Sequence, residues 1–194
     1  MNYQHTLIGF FLFCLSSLSD AKETSFINYL NARFNFQVSY PSFLVAQEEP
    51  ANGSGRKFIN NNESLTVYGS FFPNLDSQKS EDHFNIRDEF NFEKTDLQKQ
   101  GYQIGYTFIK NNVFVISGTN GQQIAYIKKI FVPHCGVHLY LWLYYPQIDE
   151  KQWDPWVDII SKSFKYSSTS CQGDYITSED SNKPVHKSVF SNSH

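Results

Sequence analysis

Residues Tyr102–Val132 read YQIGYTFIK-NN-VFVISGT-NG-QQIAYIKKIFV, and this stretch decides the fold. Three segments rich in β-branched and aromatic residues are separated by two pairs of turn formers. Asn111-Asn112 and Asn120-Gly121 are short enough to reverse the chain between adjacent strands, and Asn-Gly is the strongest short hairpin signal. The expectation is an antiparallel meander, Tyr102–Lys110, Val113–Thr119 and Gln122–Val132, with type I′ connections. After Pro133 to Gly136, Val137–Tyr145 is apolar at nearly every position, as a strand covered on both faces would be.

Working outward, Phe34 to Tyr40 alternates apolar and polar residues without a break, which marks a strand with one buried face. Phe43 to Ala46 continues in extended form beyond Pro41. Lys57–Asn60 and Ser64–Phe72 flank a turn at Asn61-Asn62 and read as a hairpin. Ser77–Gln100 changes to helical character, with Ile86, Phe90 and Leu97 near one face and a cap at Ser80. A final helix is expected from Asp154 as N-cap, with Pro155 at the first helical position, through Trp156, Ile160 and Phe164. Phe36, Val38, Trp142 and Ile160 occupy the apolar phases of these elements and form the expected core. Strands and helices in this order make an α+β domain, an antiparallel sheet flanked by helices.

Composition bounds the rest. A chain of 194 residues and 22.5 kDa is the size of one domain. A formal net charge of −3 excludes any role argued from global basicity, nucleic-acid binding first among them. Leu7 to Leu18 is an apolar run, but roughly 20 residues are needed to span a bilayer. With Ser19-Asp20-Ala21 after it, the run reads as a signal peptide over residues 1–21, cleaved after Ala21. The expected product is secreted or periplasmic, with a domain over 22–166, a flexible Ser/Asn-rich tail over 167–194 and no transmembrane segment. Cys14 leaves with the signal. Cys135 and Cys171 remain, an even pair that an oxidising compartment would join in one disulfide; two free thiols are the alternative.

The order of elements, with Phe34-Asn35-Phe36-Gln37-Val38-Ser39-Tyr40-Pro41, Trp142-Leu143-Tyr144-Tyr145-Pro146 and the helix ending Ile159-Ile160-Ser161-Lys162-Ser163-Phe164, resembles the PsbP-like superfamily, which includes DcrB-like exported bacterial proteins. The resemblance covers roughly Phe34 to Tyr166. It implies an α/β/α sandwich and a small adaptor or accessory domain, usually without catalysis. The family has no universal active-site motif, so the resemblance assigns no functional residue.

The sharpest chemical constellation is Pro133-His134-Cys135-Gly136-Val137-His138. His134, Cys135 and His138 are ligand types for Zn2+ or Cu2+. On extended chain the two histidines point to one side and Cys135 to the other, unless Gly136 kinks the backbone. The competing reading pairs Cys135 with Cys171 and leaves both histidines as ordinary strand-end residues. Nucleophilic catalysis finds no Gly-x-Ser-x-Gly elbow; Ser117-Gly118-Thr119 reads as turn chemistry. Gly53-x-Gly55 lacks the following helix that a phosphate loop requires. Glu48-Glu49, Glu81-Asp82 and Asp88-Glu89 are sequence-adjacent and solvated rather than converging. Trp153 and Trp156, with Tyr144 and Tyr145, offer either an aromatic platform for a sugar or peptide or ordinary core packing. Arg56-Lys57 and Lys128-Lys129 are isolated basic pairs, and Asn52-Gly53-Ser54 and Asn62-Glu63-Ser64 match the glycosylation acceptor pattern. No catalytic residue and no cofactor is indicated. The expected function is a non-catalytic exported binding or accessory domain of the cell envelope, with an unknown protein or envelope partner. The alternatives are a secreted metal-binding protein or enzyme using His134, Cys135 and His138, and a secreted effector acting through its tail.

Overall fold

A computed structural model describes residues 24–71, 85–167 and 171. The expected signal peptide, the cap at Ser80 and the tail beyond Cys171 lie outside the described residues. Among these residues, ten strands form two antiparallel sheets: β1 (Phe26–Asn31), β2 (Phe36–Pro41), β3 (Val45–Ala46), β4 (Gly55–Asn60), β5 (Glu63–Phe71), β6 (Gln103–Lys110), β7 (Val113–Thr119), β8 (Gln123–Val132), β9 (Val137–Pro146) and β10 (Lys165–Tyr166). The large sheet runs β3-β4-β5-β9-β8-β7-β6, and the small one β1-β2-β10. Helices α1 (Ile86–Lys99) and α2 (Glu150–Ser163) complete an α+β domain.

Strand β9 lies at the centre of the large sheet, and its side chains serve two cores in strict alternation. Val137, Leu139, Leu141, Leu143 and Tyr145 face α2 and the small sheet, packed with Phe36, Val38, Trp153, Ile160 and Phe164. Trp142 and Tyr144 face α1, whose Leu97 and Phe90 close a second core over Phe114, Ile116, Ala125 and Ile127. A strand apolar on both sides is thus covered on both sides. Phe36, Val38 and Ile160 are fully buried, but Trp142 is only half-buried, because α1 lies over the β6–β7 side of its face.

Four local features differ from the sequence reading. The polar lead-in before Phe34 is strand β1. Its buried positions are Tyr29 and Asn31, so no apolar alternation announces it. Asn31 is accommodated by hydrogen bonds: Nδ2 donates to Gly53 O at 2.9 Å and to the Tyr29 hydroxyl at 3.1 Å, and Oδ1 accepts from the Phe34 N–H at 2.8 Å. Helix α1 starts at Ile86, capped by Asn85, whose Oδ1 accepts from the Arg87 N–H at 2.9 Å. Helix α2 starts at Glu150, a turn before Asp154, and Pro155 lies inside it. The earlier start buries Trp153 in a stack on Tyr145 (centroids 4.9 Å, planes 15° apart), while Pro155 removes one hydrogen bond, to the exposed Lys151. Finally, the meander has the expected strands, but its turns are not type I′, which needs two left-handed residues. Asn111 alone (φ 53°) and Gly121 alone (φ 87°) are left-handed, and Asn120 Oδ1 instead accepts the N–H groups of Gln122 and Gln123.

Candidate functional site

The His/Cys motif occupies the β8–β9 corner. Pro133–Cys135 forms one 3-10 turn, and Gly136 leaves it with a left-handed backbone (φ 59°), its N–H donating to Pro133 O at 3.1 Å. That turn breaks the extended spacing on which a His134/His138 pair depended. His138 is buried on the α1 side of β9, its Nδ1 3.2 Å from the Tyr140 hydroxyl and its ring edge-on to Phe131. Burial, reinforced by the neighbouring Lys129 ammonium, pushes the His138 imidazole down to about 3, so it stays neutral. His134, the middle residue of the turn, is exposed. Cys135, which is buried, and Cys171, which is exposed, are joined in a disulfide with Cα atoms 5.2 Å apart. The potential ligands gathered here are therefore His134, Cys135 and Cys171, with ligand atoms within 4.8 Å of one another. Cys171, distant in sequence, replaces His138 in the set the sequence had offered.

The proposed aromatic platform is also divided. Trp153 and Tyr145 are core residues, and Trp156 packs on Phe43 at 5.2 Å. Tyr144 lies on the other face, beside Tyr102. The Lys128-Lys129 pair is split likewise. Lys129 is buried under α1 in an ion pair with Glu89 and over the Tyr140 ring at 4.3 Å. A hollow of about 300 Å³ beside it contains Glu93, Asp96, Trp142 and Tyr144. Burial raises the Glu93 carboxyl, with Lys129 opposing and Glu89 and Asp96 adding to the shift.

The larger opening lies on the opposite face, where α2 crosses the sheet but stops short of its β6 edge. This groove has a volume of about 450 Å³ and an apolar floor of Tyr106, Phe108, Val115 and Tyr126. Tyr106 and Phe108 remain 54% and 41% exposed. A bulge between Ile104 and Tyr106 explains their placement. Ile104 and, beyond the bulge, Ile109 pack toward α1, whereas Tyr106 and Phe108 turn to the α2 side. The far wall is fixed to the sheet by polar contacts. Lys128 Nζ donates to Ser161 O at 2.6 Å and Phe164 O at 3.4 Å, satisfying carbonyls at the end of α2, and the Tyr126 hydroxyl donates to Ser161 Oγ at 2.7 Å. Asp154, Asp158 and Lys162 form the rim, with Lys162 bonded to Asp158 at 2.7 Å. A second hollow of about 320 Å³ extends the groove past Tyr106 to Gln147 and Glu150. Among the described residues, strand β6 pairs only with β7, so its outer edge offers backbone donors and acceptors along the groove. No motif marks this site. Its only trace in the sequence is the aromatic pair Tyr106-x-Phe108 in a strand that is apolar on both sides.

Among the described residues, no helix is long and apolar enough to cross a membrane. No family model and no curated protein matches the sequence. Solved structures do match. The chain is similar to CyanoP, the cyanobacterial PsbP of Synechocystis, with a TM-score of 0.54 at 15% identity over 78% of this chain and 98% of that one. It is similar to the Ran-binding protein Mog1p of Saccharomyces cerevisiae (TM-score 0.53, 10% identity, 75% of this chain and 97% of that one). It is also similar to LpqN of Mycobacterium tuberculosis, a protein involved in cell envelope biogenesis (TM-score 0.51, 11% identity, 75% of this chain and 92% of that one). At such identities the likeness is one of backbone architecture, and the chain has the PsbP-like fold.

Proposed function

We propose that this protein is an exported, non-catalytic binding domain of the cell envelope. It takes an extended segment of a partner protein along the β6 edge and in the groove beside α2. The observation that carries this reading is the pairing of a one-sided edge strand with the two exposed aromatic residues Tyr106 and Phe108, beside a helix that leaves them uncovered. Added strands recognise partners this way: backbone hydrogen bonds give affinity, and pockets for alternate side chains give specificity. The rim carries Glu150, Asp154 and Asp158 against Lys162, so the segment that fits has alternating apolar residues with Lys or Arg near its ends. The architecture supports a binding role rather than a chemical one. Of the proteins that share it, one is a Ran-binding protein and another is involved in cell envelope biogenesis. The Cys135–Cys171 disulfide supports an oxidising compartment.

Selection of a random peptide library on the purified protein tests this reading. Enriched peptides have alternating apolar residues and basic ends. They bind the wild type and a Phe92→Lys control, whose exposed site is on α1, and lose affinity for Phe108→Lys. Failure to enrich any sequence, or peptides indifferent to Phe108→Lys, refutes the assignment.

A further inference from the structure

We propose that the Cys135–Cys171 disulfide is the oxidised form of a metal site. After reduction, Cys135, Cys171 and His134 bind one Zn2+. The three ligands are separate from the groove, whose lining includes none of them.

The geometry is close to what the metal requires. Tetrahedral Zn2+ with Zn–S near ~2.3 Å and Zn–N near ~2.0 Å holds its ligand atoms roughly 3.3–3.8 Å apart. The two sulfurs and the His134 ring nitrogen already lie within 4.8 Å of one another. Opening the disulfide moves the sulfurs apart, toward the required spacing. The backbone on the Cys135 side is set before the metal arrives, because the 3-10 turn and left-handed Gly136 fix His134 and Cys135 as neighbours at the β8–β9 corner. Strand β10 carries the chain back to β2, from which Cys171 reaches the same corner. Three protein ligands leave a fourth position for water, the arrangement of sites that exchange ligands rather than of closed structural ones.

The two states are linked by thiol–disulfide exchange. Cys171 is exposed, so a dithiol reductant attacks its Sγ, breaking the Sγ–Sγ bond and expelling Cys135 as a thiolate. The Tyr166 hydroxyl, 3.3 Å from Cys135 Sγ, donates to that leaving group. The second thiol of the reductant then attacks the mixed disulfide. It releases Cys171 and leaves the reductant as its own disulfide, with two electrons passed to the protein. Zn2+ displaces the protons that the two cysteines carry and takes the imidazole of His134 as its third ligand. Metal and disulfide are then mutually exclusive, so oxidation ejects the ion.

Equilibrium dialysis with Zn2+ tests the proposal on the full chain, before and after reduction by a phosphine that does not hold the metal. The reduced protein takes up one equivalent, and the oxidised protein takes up well under one. His134→Ala weakens binding by more than about tenfold, since loss of even an outer partner of a metal ligand costs roughly 10–100-fold. Cys171→Ser abolishes the stoichiometric site. His138→Gln leaves it unchanged, because that ring faces Phe131 and Tyr140 on the other side of β9. Co2+ in place of Zn2+ gives thiolate-to-metal charge-transfer absorption, which is lost in Cys171→Ser. Circular dichroism accompanies each titration. Should reduction unfold the chain, Zn2+ must restore the fold, because the energy of a folded site adds to folding. A reduced chain that binds no metal, one that binds equally with His134→Ala, or one that stays unfolded with Zn2+ overturns the proposal.

Discussion

Ile159 and Ile160 are chemically identical neighbours on α2, yet the fold treats them differently. Ile160 is fully buried against the small sheet and β9, while Ile159 is 41% exposed. Substituting each by Ala therefore isolates packing from everything the two positions share. Removing three carbons from a closed site forfeits about 2.4 kcal/mol of transfer energy at about 0.8 kcal/mol per methylene. A cavity of roughly 80 Å³ at about 24 cal/mol per Å³ adds up to about 2 kcal/mol where the surroundings do not relax. The better helix propensity of Ala returns about 0.4 kcal/mol at both positions. Ile160→Ala should therefore cost about 2–4 kcal/mol and Ile159→Ala under about 1 kcal/mol. Urea unfolding followed by tryptophan fluorescence measures both. With a slope of roughly 2 kcal/mol/M, the Ile160→Ala midpoint falls by about 1–2 M while the slope is unchanged. Equal losses at the two positions, or a larger one at Ile159, would mean that α2 presents another face and that the groove wall is misplaced.

Other predictions concern charge and covalent constraint. Glu93 has a folded-state pKa above its unfolded value, so its carboxylate opposes folding at neutral pH and the cost disappears below the unfolded pKa. Glu93→Gln should raise the melting temperature at pH 7, by an amount that shrinks to nothing as the pH falls below the ordinary glutamate range; a gain that persists in acid argues against the burial. His138 shows the opposite slope. Its pKa is about 3 in the fold against 6.5 for an ordinary histidine, so stability is full above about pH 6.5 and falls as the unfolded chain alone takes up a proton. The loss reaches at most about 5 kcal/mol at 1.36 kcal/mol per unit, and an imidazole titrating near pH 6 by NMR would contradict it. The Cys135–Cys171 link closes a sequence separation of 36, for which the chain-entropy relation gives about 4 kcal/mol. Replacing both by Ser should lower the urea midpoint accordingly, and an unchanged midpoint would show that the link constrains little of the unfolded chain.

Much of the large sheet was legible because its signals are local. Alternation fixes β2, Asn-rich turns separate β4 from β5 and β6 from β7, and continuous apolarity identifies β9. Elements stabilised by polar burial were hidden. β1 buries Asn31 and Tyr29, whose value depends on partners at Gly53 and Phe34 rather than on their own hydrophobicity. Asp154-Pro155 is a good N-terminal signal in the sequence, yet α2 begins a turn earlier, where Trp153 stacks on Tyr145. Of the candidate metal ligands, His134 and Cys135 remain together because one turn holds both. His138 leaves because Gly136 ends that turn and returns the chain to strand, and Cys171 arrives through tertiary structure. The groove was least legible of all. It exists because α2 stops short of β6, a relation between segments that lie at least 40 residues apart in sequence (Lys110 to Glu150).

Hydrogen exchange along β6 decides whether this edge takes a partner strand. A library-selected peptide with alternating apolar residues and basic ends is added to the protein, and amide exchange is followed at every described strand. With a peptide seated on the edge, amides of Gln103–Lys110 not already bonded to β7 should slow by more than about tenfold, while those of β3, at the other edge of the same sheet, should not change. Peptide binding that protects β3 or α1 but leaves β6 exchanging as before, or no peptide binding at all, would contradict it.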